Sequence, residues 1–330
     1  MKKTVFAILL VASFVSMALA ADSHANATSV ARPDVISGGP IIIHPFVNLA
    51  EIKAPGIKIF VSDAANNVVD IYNPSGKLLG QLSGLSEPQG IAADGKGNIY
   101  IADTSNSRIQ IYAPPYNKGP KTLNDPGEYP SDVSVLNNGE FVAVANIIST
   151  SGGPGNVILY KNGKIVKTIS NATFSRVYFC GFDGNGNLYI DGENSDGSAV
   201  LGEIAKLTTS GKTFSTLTYN GTIEFPGGIE VTTDGKIAID DQEAATIYTF
   251  NPPKNGSLGS PIATTPLTGS ADPVTYAFTK NNKALWIVDA GNGDAAKYAY
   301  PAGGSPVKTF SLPDAEPIGV ALVPAEVPGK

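Results

Sequence analysis

Apolar and polar residues alternate in runs of about five along most of the chain, as in Asn98-Ile99-Tyr100-Ile101-Ala102-Asp103 and Arg108-Ile109-Gln110-Ile111-Tyr112. A period of two puts successive side chains on opposite faces, so these runs predict half-buried β-strands. Turn chemistry separates them. Gly95 and Gly97 in DGKGN, Asn138-Gly139, Gly184 and Gly186 in DGNGN, and Asp234-Gly235 supply the positive φ that a tight hairpin requires. Turns such as Asn73-Pro74-Ser75-Gly76 and Lys161-Asn162-Gly163-Lys164 end the later strands of a unit.

The pattern repeats. Each unit opens near a Pro or Gly, runs apolar, turns at Asp/Asn-Gly, runs apolar again and reaches Asp or Asn. Openings at Pro88, Pro130, Ser175, Pro226, Pro273 and Pro317 lie 42, 45, 51, 47 and 44 residues apart. Four short strands and three turns fill about 40 residues, the content of one propeller blade. The last opening, EPIGVALVP, carries one strand, whereas the first unit, GIKIFVSDAANNVVDIYNPSGKLLGQL, lacks an inner strand. Pairing Ile318–Leu322 with Ile57–Val61 would complete one blade from both chain ends and leave no open edge. The expectation is an all-β, six-bladed β-propeller of four-stranded antiparallel blades, closed by its N- and C-terminal strands.

Composition agrees and adds limits. Thirty-six Gly and 24 Pro, dispersed without a collagen-like period, suit many turns. Residues 1–20 place Lys2 and Lys3 before an apolar run that ends Ala18-Leu19-Ala20, the pattern of a cleaved export signal. Three segments follow: a signal peptide over 1–20, a flexible lead over 21–50 and a propeller over 51–330. The expected location is periplasmic or extracellular, with no Cys near the cleavage site to take a lipid and no later membrane span. Cys180 is the only cysteine, so no internal disulfide forms, and its apolar setting in RVYFCGFD predicts a small buried thiol. A net charge of −6 without a basic block argues against nucleic acid as a partner.

PQGIAADGKGNIYIADTSNSRIQIY closely resembles the NHL repeat, and DPVTYAFTKNNKALWIVDAGNGDAAKYAY and PGGIEVTTDGKIAIDDQEAATIYTF are weaker copies. The resemblance implies blade architecture. It also implies kinship with the calcium-dependent phosphotriesterase-like and gluconolactonase-like propellers, which include binders, hydrolases and lyases, so fold alone does not choose a function.

In such a propeller the loops entering the inner strands and the turns after the second strands share one face, the channel mouth. Asp63, Asp103, Asn146, Asp191, Asp240 with Asp241, and Asp289 recur there and are read as turn-capping parts. Polar residues that break the repeat are the better contact candidates: Gln89, Asp132, Arg176 and Glu230. Arg176 pairing with Asp132 or a turn Asp is the plainer alternative for that residue. The leading expectation is a binding scaffold for a protein, or for a small-molecule or saccharide ligand, at the channel mouth. The alternative is a lactonase-type hydrolase that uses a divalent metal such as Ca2+, with Asp132, Glu230, Asp103 and Asp289 as candidate ligands. Catalysis by a histidine base is disfavoured, because His24 and His44 are the only histidines and both precede the repeats.

Overall fold

In the computed structural model, residues 46–205, 214–313 and 315–325 are described. The export-signal stretch, His24, His44 and most of the 21–50 lead lie outside them. The described chain forms six antiparallel sheets arranged as blades.

Blade 1 holds Lys58–Asp63, Val68–Tyr72 and Leu78–Leu82, with Pro317–Val323 as its inner strand. That strand pairs Leu322 with Ile59 and Val320 with Val61, so the chain ends close the ring as the incomplete first and last units require. Blades 2 to 6 span residues 88–124, 128–169, 176–219, 226–266 and 273–311, and each runs inner to outer in chain order. Two additions were not foreseen. Phe46–Val47 pairs with Leu78–Leu82 as a fifth strand of blade 1, followed by a short helix, Leu49–Lys53, whose N-cap Asn48 accepts from the Glu51 N–H. Ser257–Gly259, inside blade 5's third connection, pairs in parallel with the outer strand Ser215–Tyr219 of blade 4.

The core lies in the seams. Six clusters of buried side chains occupy the six contacts between neighbouring blades. Tyr100, Ile109 and Leu123 of blade 2 meet Val133, Val144 and Tyr160 of blade 3, while Val61 and Leu322 of blade 1 meet Trp286 and Val288 of blade 6. A fully buried side chain of this size stabilises by about 1.5–3 kcal/mol. Every seam holds nine or more buried residues, so blade-to-blade packing outweighs any one hairpin. A blade cannot bury its faces without neighbours, which explains why the unit repeats until the ring closes.

Near the axis the blades approach so closely that Gly90 has no space for a side chain. A Cβ there would sit 2.0 Å from Asp132 Oδ1 and 2.6 Å from Asp132 Cα. The inner hairpins share another feature: pairing with the second strand slips just after the opening in all six blades, for example between Pro88 and Ile91, Pro226 and Ile229, and Val177 and Cys180. Each slip is a β-bulge that turns the inner strand and re-aims its side chains.

Candidate functional site: a sealed and an open end of the channel

At the end where inner strands begin, the recurrent carboxylates are spent on backbone. Asp103 accepts from the Ser86 N–H at 2.6 Å and pairs with Arg108 Nε at 2.6 Å. Asp289 accepts from the N–H groups of Ala271 and Asp272 and the Ser270 hydroxyl. Asp63 takes the Asn66 and Glu316 N–H groups, and Asp241 those of Glu224 and Phe225. Each thereby ties the loop entering an inner strand to the end of the second strand. Asp103 and Asp289 thus have their oxygens engaged in turn capping, and among the described residues no three His, Cys, Asp or Glu side chains group closely enough to hold a metal.

Two members of the recurrent set fall out of register. Asn146, Asp103, Asp241 and Asp289 stand opposite the opening prolines, but in blade 4 that position is Gly192, opposite Val177. Asp191 and Asp240 therefore sit one residue earlier and face inward, both wholly buried. Asp191 Oδ1 accepts from the Phe179 N–H at 3.0 Å, while its Oδ2 and both oxygens of Asp240 have no hydrogen-bond partner. Burial pushes both carboxyls well above the usual range. The sequence signals for this displacement are the Asp240-Asp241 doublet and the Asp191-Gly192 pair, where blades 1, 2 and 6 have Ser62-Asp63, Ala102-Asp103 and Val288-Asp289.

Over the same end lies an apolar cluster where polar residues were expected. Tyr178, Val274 and Ile318 are buried in one cluster with Ile147, and partly exposed Ala64, Tyr129, Ile148, Phe225 and Ala290 pack onto it. They come from blades 1, 3, 4, 5 and 6 and seal the channel. The Tyr178 and Phe225 rings lie 5.5 Å apart. Beside them Arg176 forms an ion pair with Glu193, its register partner on the next strand, rather than with Asp132 or a turn Asp. With the caps directed into their own turns, apolar side chains are left to cover the axis.

The opposite end is open. A cavity of about 930 Å³, including solvent at its mouth, is lined by the second halves of all six inner strands and by the hairpin residues Asn137 and Asn282. Asp132 and Glu230 both line it, whereas Gln89 and Arg176 do not. Gln89 is buried, its carbonyl accepting the Ser62 hydroxyl at 2.6 Å. Asp132 Oδ2 accepts from the Cys180 N–H at 2.9 Å, and burial pushes this carboxyl up to about 7. The partly exposed Glu230 side chain makes no hydrogen bond; burial and the nearby Asp132 charge push it up to about 8. Cys180 also lines the cavity, and burial raises its thiol well above the usual range, which leaves it a poor nucleophile. The structure therefore brings together two of the four expected contact residues, on the hairpin side rather than the strand-start side.

Residues 85–112 match the NHL repeat family. No curated protein sequence matches significantly. Similar solved structures include a chain in a nidogen/laminin complex (14% identity, TM-score 0.62, covering 81% of this chain and 98% of that one). Another is a protein of unknown function from Bacteroides caccae (15%, 0.61, 81% and 99%), and a third is Kuenenia stuttgartiensis hydrazine synthase (13%, 0.55, 73% and 73%). At such identities the likeness is one of fold. The chain is a six-bladed β-propeller that carries an NHL repeat at residues 85–112.

Proposed function

We propose that this propeller is an exported binding scaffold that docks a protein partner on its strand-start face. The observation that carries the reading is the patch of partly exposed Tyr129, Ile148 and Phe225 over the sealed channel, flanked by the Arg176–Glu193 pair. Aromatic and Arg side chains packed on a buried base and rimmed by polar groups are the composition of interface hot spots. Five blades contribute to the patch, so the ring holds it rigid, and little ordering entropy is lost when a partner docks. The similarly folded chain from a nidogen/laminin complex supports use of such a ring in protein assembly. Export is supported by the charged, apolar and small-residue order of residues 1–20.

The test is cross-linked capture from the extracytoplasmic fraction of cells that make the protein. It compares wild type, the double variant Tyr129→Ser/Phe225→Ser, and Val307→Ser at an exposed blade 6 rim position. A discrete partner retained by wild type and Val307→Ser but lost from the double variant is expected. Equal capture by all three, with the double variant still folded, refutes the assignment.

A further inference from the structure

The open cavity at the hairpin end is separate from the docking patch and has its own chemistry. Its lining mixes apolar side chains, among them Val133, Phe182, Val231 and Phe278, with the polar Asn137 and Asn282. Two acids, Asp132 and Glu230, line it from blades 3 and 5. No Lys, Arg or His is among the lining residues. The ionisable groups that act on the pair are themselves acids: Asp191 and Cys180 from blade 4, and Tyr276 from blade 6. Asp240 of Glu230's own blade stands behind Tyr276.

A carboxylate shielded from bulk water without a partner is costly, and a native structure that keeps one calls for an explanation. Asp132 is partly satisfied by the Cys180 N–H, but Glu230 has nothing. The geometry points to a binding site for a small organic cation, a protonated primary amine with a short apolar body, whose ammonium is held between Glu230 and Asp132 while its chain lies against the aliphatic wall. An ammonium has three donors and no acceptor, which suits an acceptor-only pair. The hydroxyls of Ser134 and Thr275 on the same lining are bound to backbone, Ser134 accepting from the Phe182 N–H and Thr275 donating to the Ile318 carbonyl and accepting from the Val320 N–H, which leaves the two carboxylates to hold the ammonium. A hard divalent ion fits less well, since it takes six to eight oxygens and the cavity brings only two carboxylates together, with no third His, Cys, Asp or Glu grouped with them among the described residues. Charge-assisted bonds to a bound cation would offset the desolvation of Glu230, while the apolar body would leave water against the apolar part of the lining.

The site also predicts a linkage. Both carboxyls hold protons near neutrality, and a cation binds the ionised pair, so amine affinity rises with pH until the carboxyls are deprotonated.

The experiment is calorimetric titration at pH 8 with three isosteric probes: hexylammonium, 1-hexanol and hexanoate. Wild type should bind hexylammonium at least tenfold more tightly than hexanol and should not bind hexanoate. Glu230→Gln, which removes the charge and keeps the shape, should bring the ammonium within about threefold of the alcohol, with its melting curve showing that it is folded. Affinity of wild type for hexylammonium should fall about tenfold or more from pH 8 to pH 6. Equal binding of alcohol and ammonium, undiminished binding by Glu230→Gln, no binding of the ammonium at millimolar concentration, or stoichiometric displacement of it by calcium each overturns the proposal. Loss of partner capture by the Tyr129/Phe225 variant bears only on the other end of the channel, so the two readings fail separately.

Discussion

Replacing Glu230 by Gln should stabilise the protein much more at pH 8 than at pH 5. In the folded state burial and Asp132 hold the Glu230 carboxyl at about 8, against an unfolded value near 4.5. Asp132 stands at about 7 against 3.8. A carboxyl whose folded pKa is raised binds its proton more tightly when folded. Its contribution is fully present below the unfolded pKa and is lost as pH rises through the folded one. Between pH 5 and pH 7 each group therefore costs about 1.4 kcal/mol of stability per pH unit. Together they give about 5 kcal/mol over those two units, the Asp132 share levelling off near pH 7, and about 4 kcal/mol once solvent contact at Glu230 is discounted. For a domain of this size that is a fall in Tm of roughly 5–10 °C. Asp125, Asp272 and Asp294, each pushed up to about 6, tilt the wild-type curve the same way. The informative quantity is thus the difference between proteins. Glu230→Gln and Glu230→Gln/Asp132→Asn, melted from pH 5 to pH 8.5 by circular dichroism, should lie nearest wild type at the acid end and rise progressively above it toward pH 8, the double variant more so. Parallel curves for all three would refute the claim that these two carboxyls are buried against their charge.

Three further outcomes follow from the geometry. Gly90→Ala forces a Cβ to within 2.0 Å of Asp132 Oδ1, so chemical denaturation should show a loss of about 1–3 kcal/mol; a neutral result would mean that the inner strands are not so close. Asp289→Ala strips partners from the Ala271 and Asp272 N–H groups and the Ser270 hydroxyl, at about 1–3 kcal/mol for each buried donor left unmet, and the lowered Tm should not respond to calcium, since the oxygens lost serve backbone. Ending the chain before Pro317 removes the inner strand of blade 1 and bares Ile59, Val61 and the edge that Val320 and Leu322 cover; light scattering should show self-association in place of a monodisperse monomer-sized ring.

The ring itself was legible because its evidence is additive: six openings, five spacings and two incomplete ends each point to the same closure, and Leu322 pairs with Ile59 as that closure demands. Side-chain direction near the axis was not legible in the same way. A strand's facing follows from a period of two only while the ladder is regular, and here every inner hairpin slips just past its opening. The bulge between Pro88 and Ile91, and its counterparts, separate the opening residues from the channel-lining halves of their strands. Gln89 and Arg176 fall before or within the slip and turn away from the cavity, whereas Asp132 and Glu230 fall later and line it. Asp191 and Asp240 stand one residue before the capping position, held by Gly192 and Asp241, and the period of two turns them into the interior. Which end of the channel is open depends on this local geometry and on the bulk of Tyr178, Val274 and Ile318, residues that a pattern of polar exceptions passes over because they are apolar. Repeats thus encode the scaffold through what their copies share. The two ends of the channel differ through single positions whose aim the bulge decides, so a site in such a ring is found by counting from the bulge rather than from the start of the repeat.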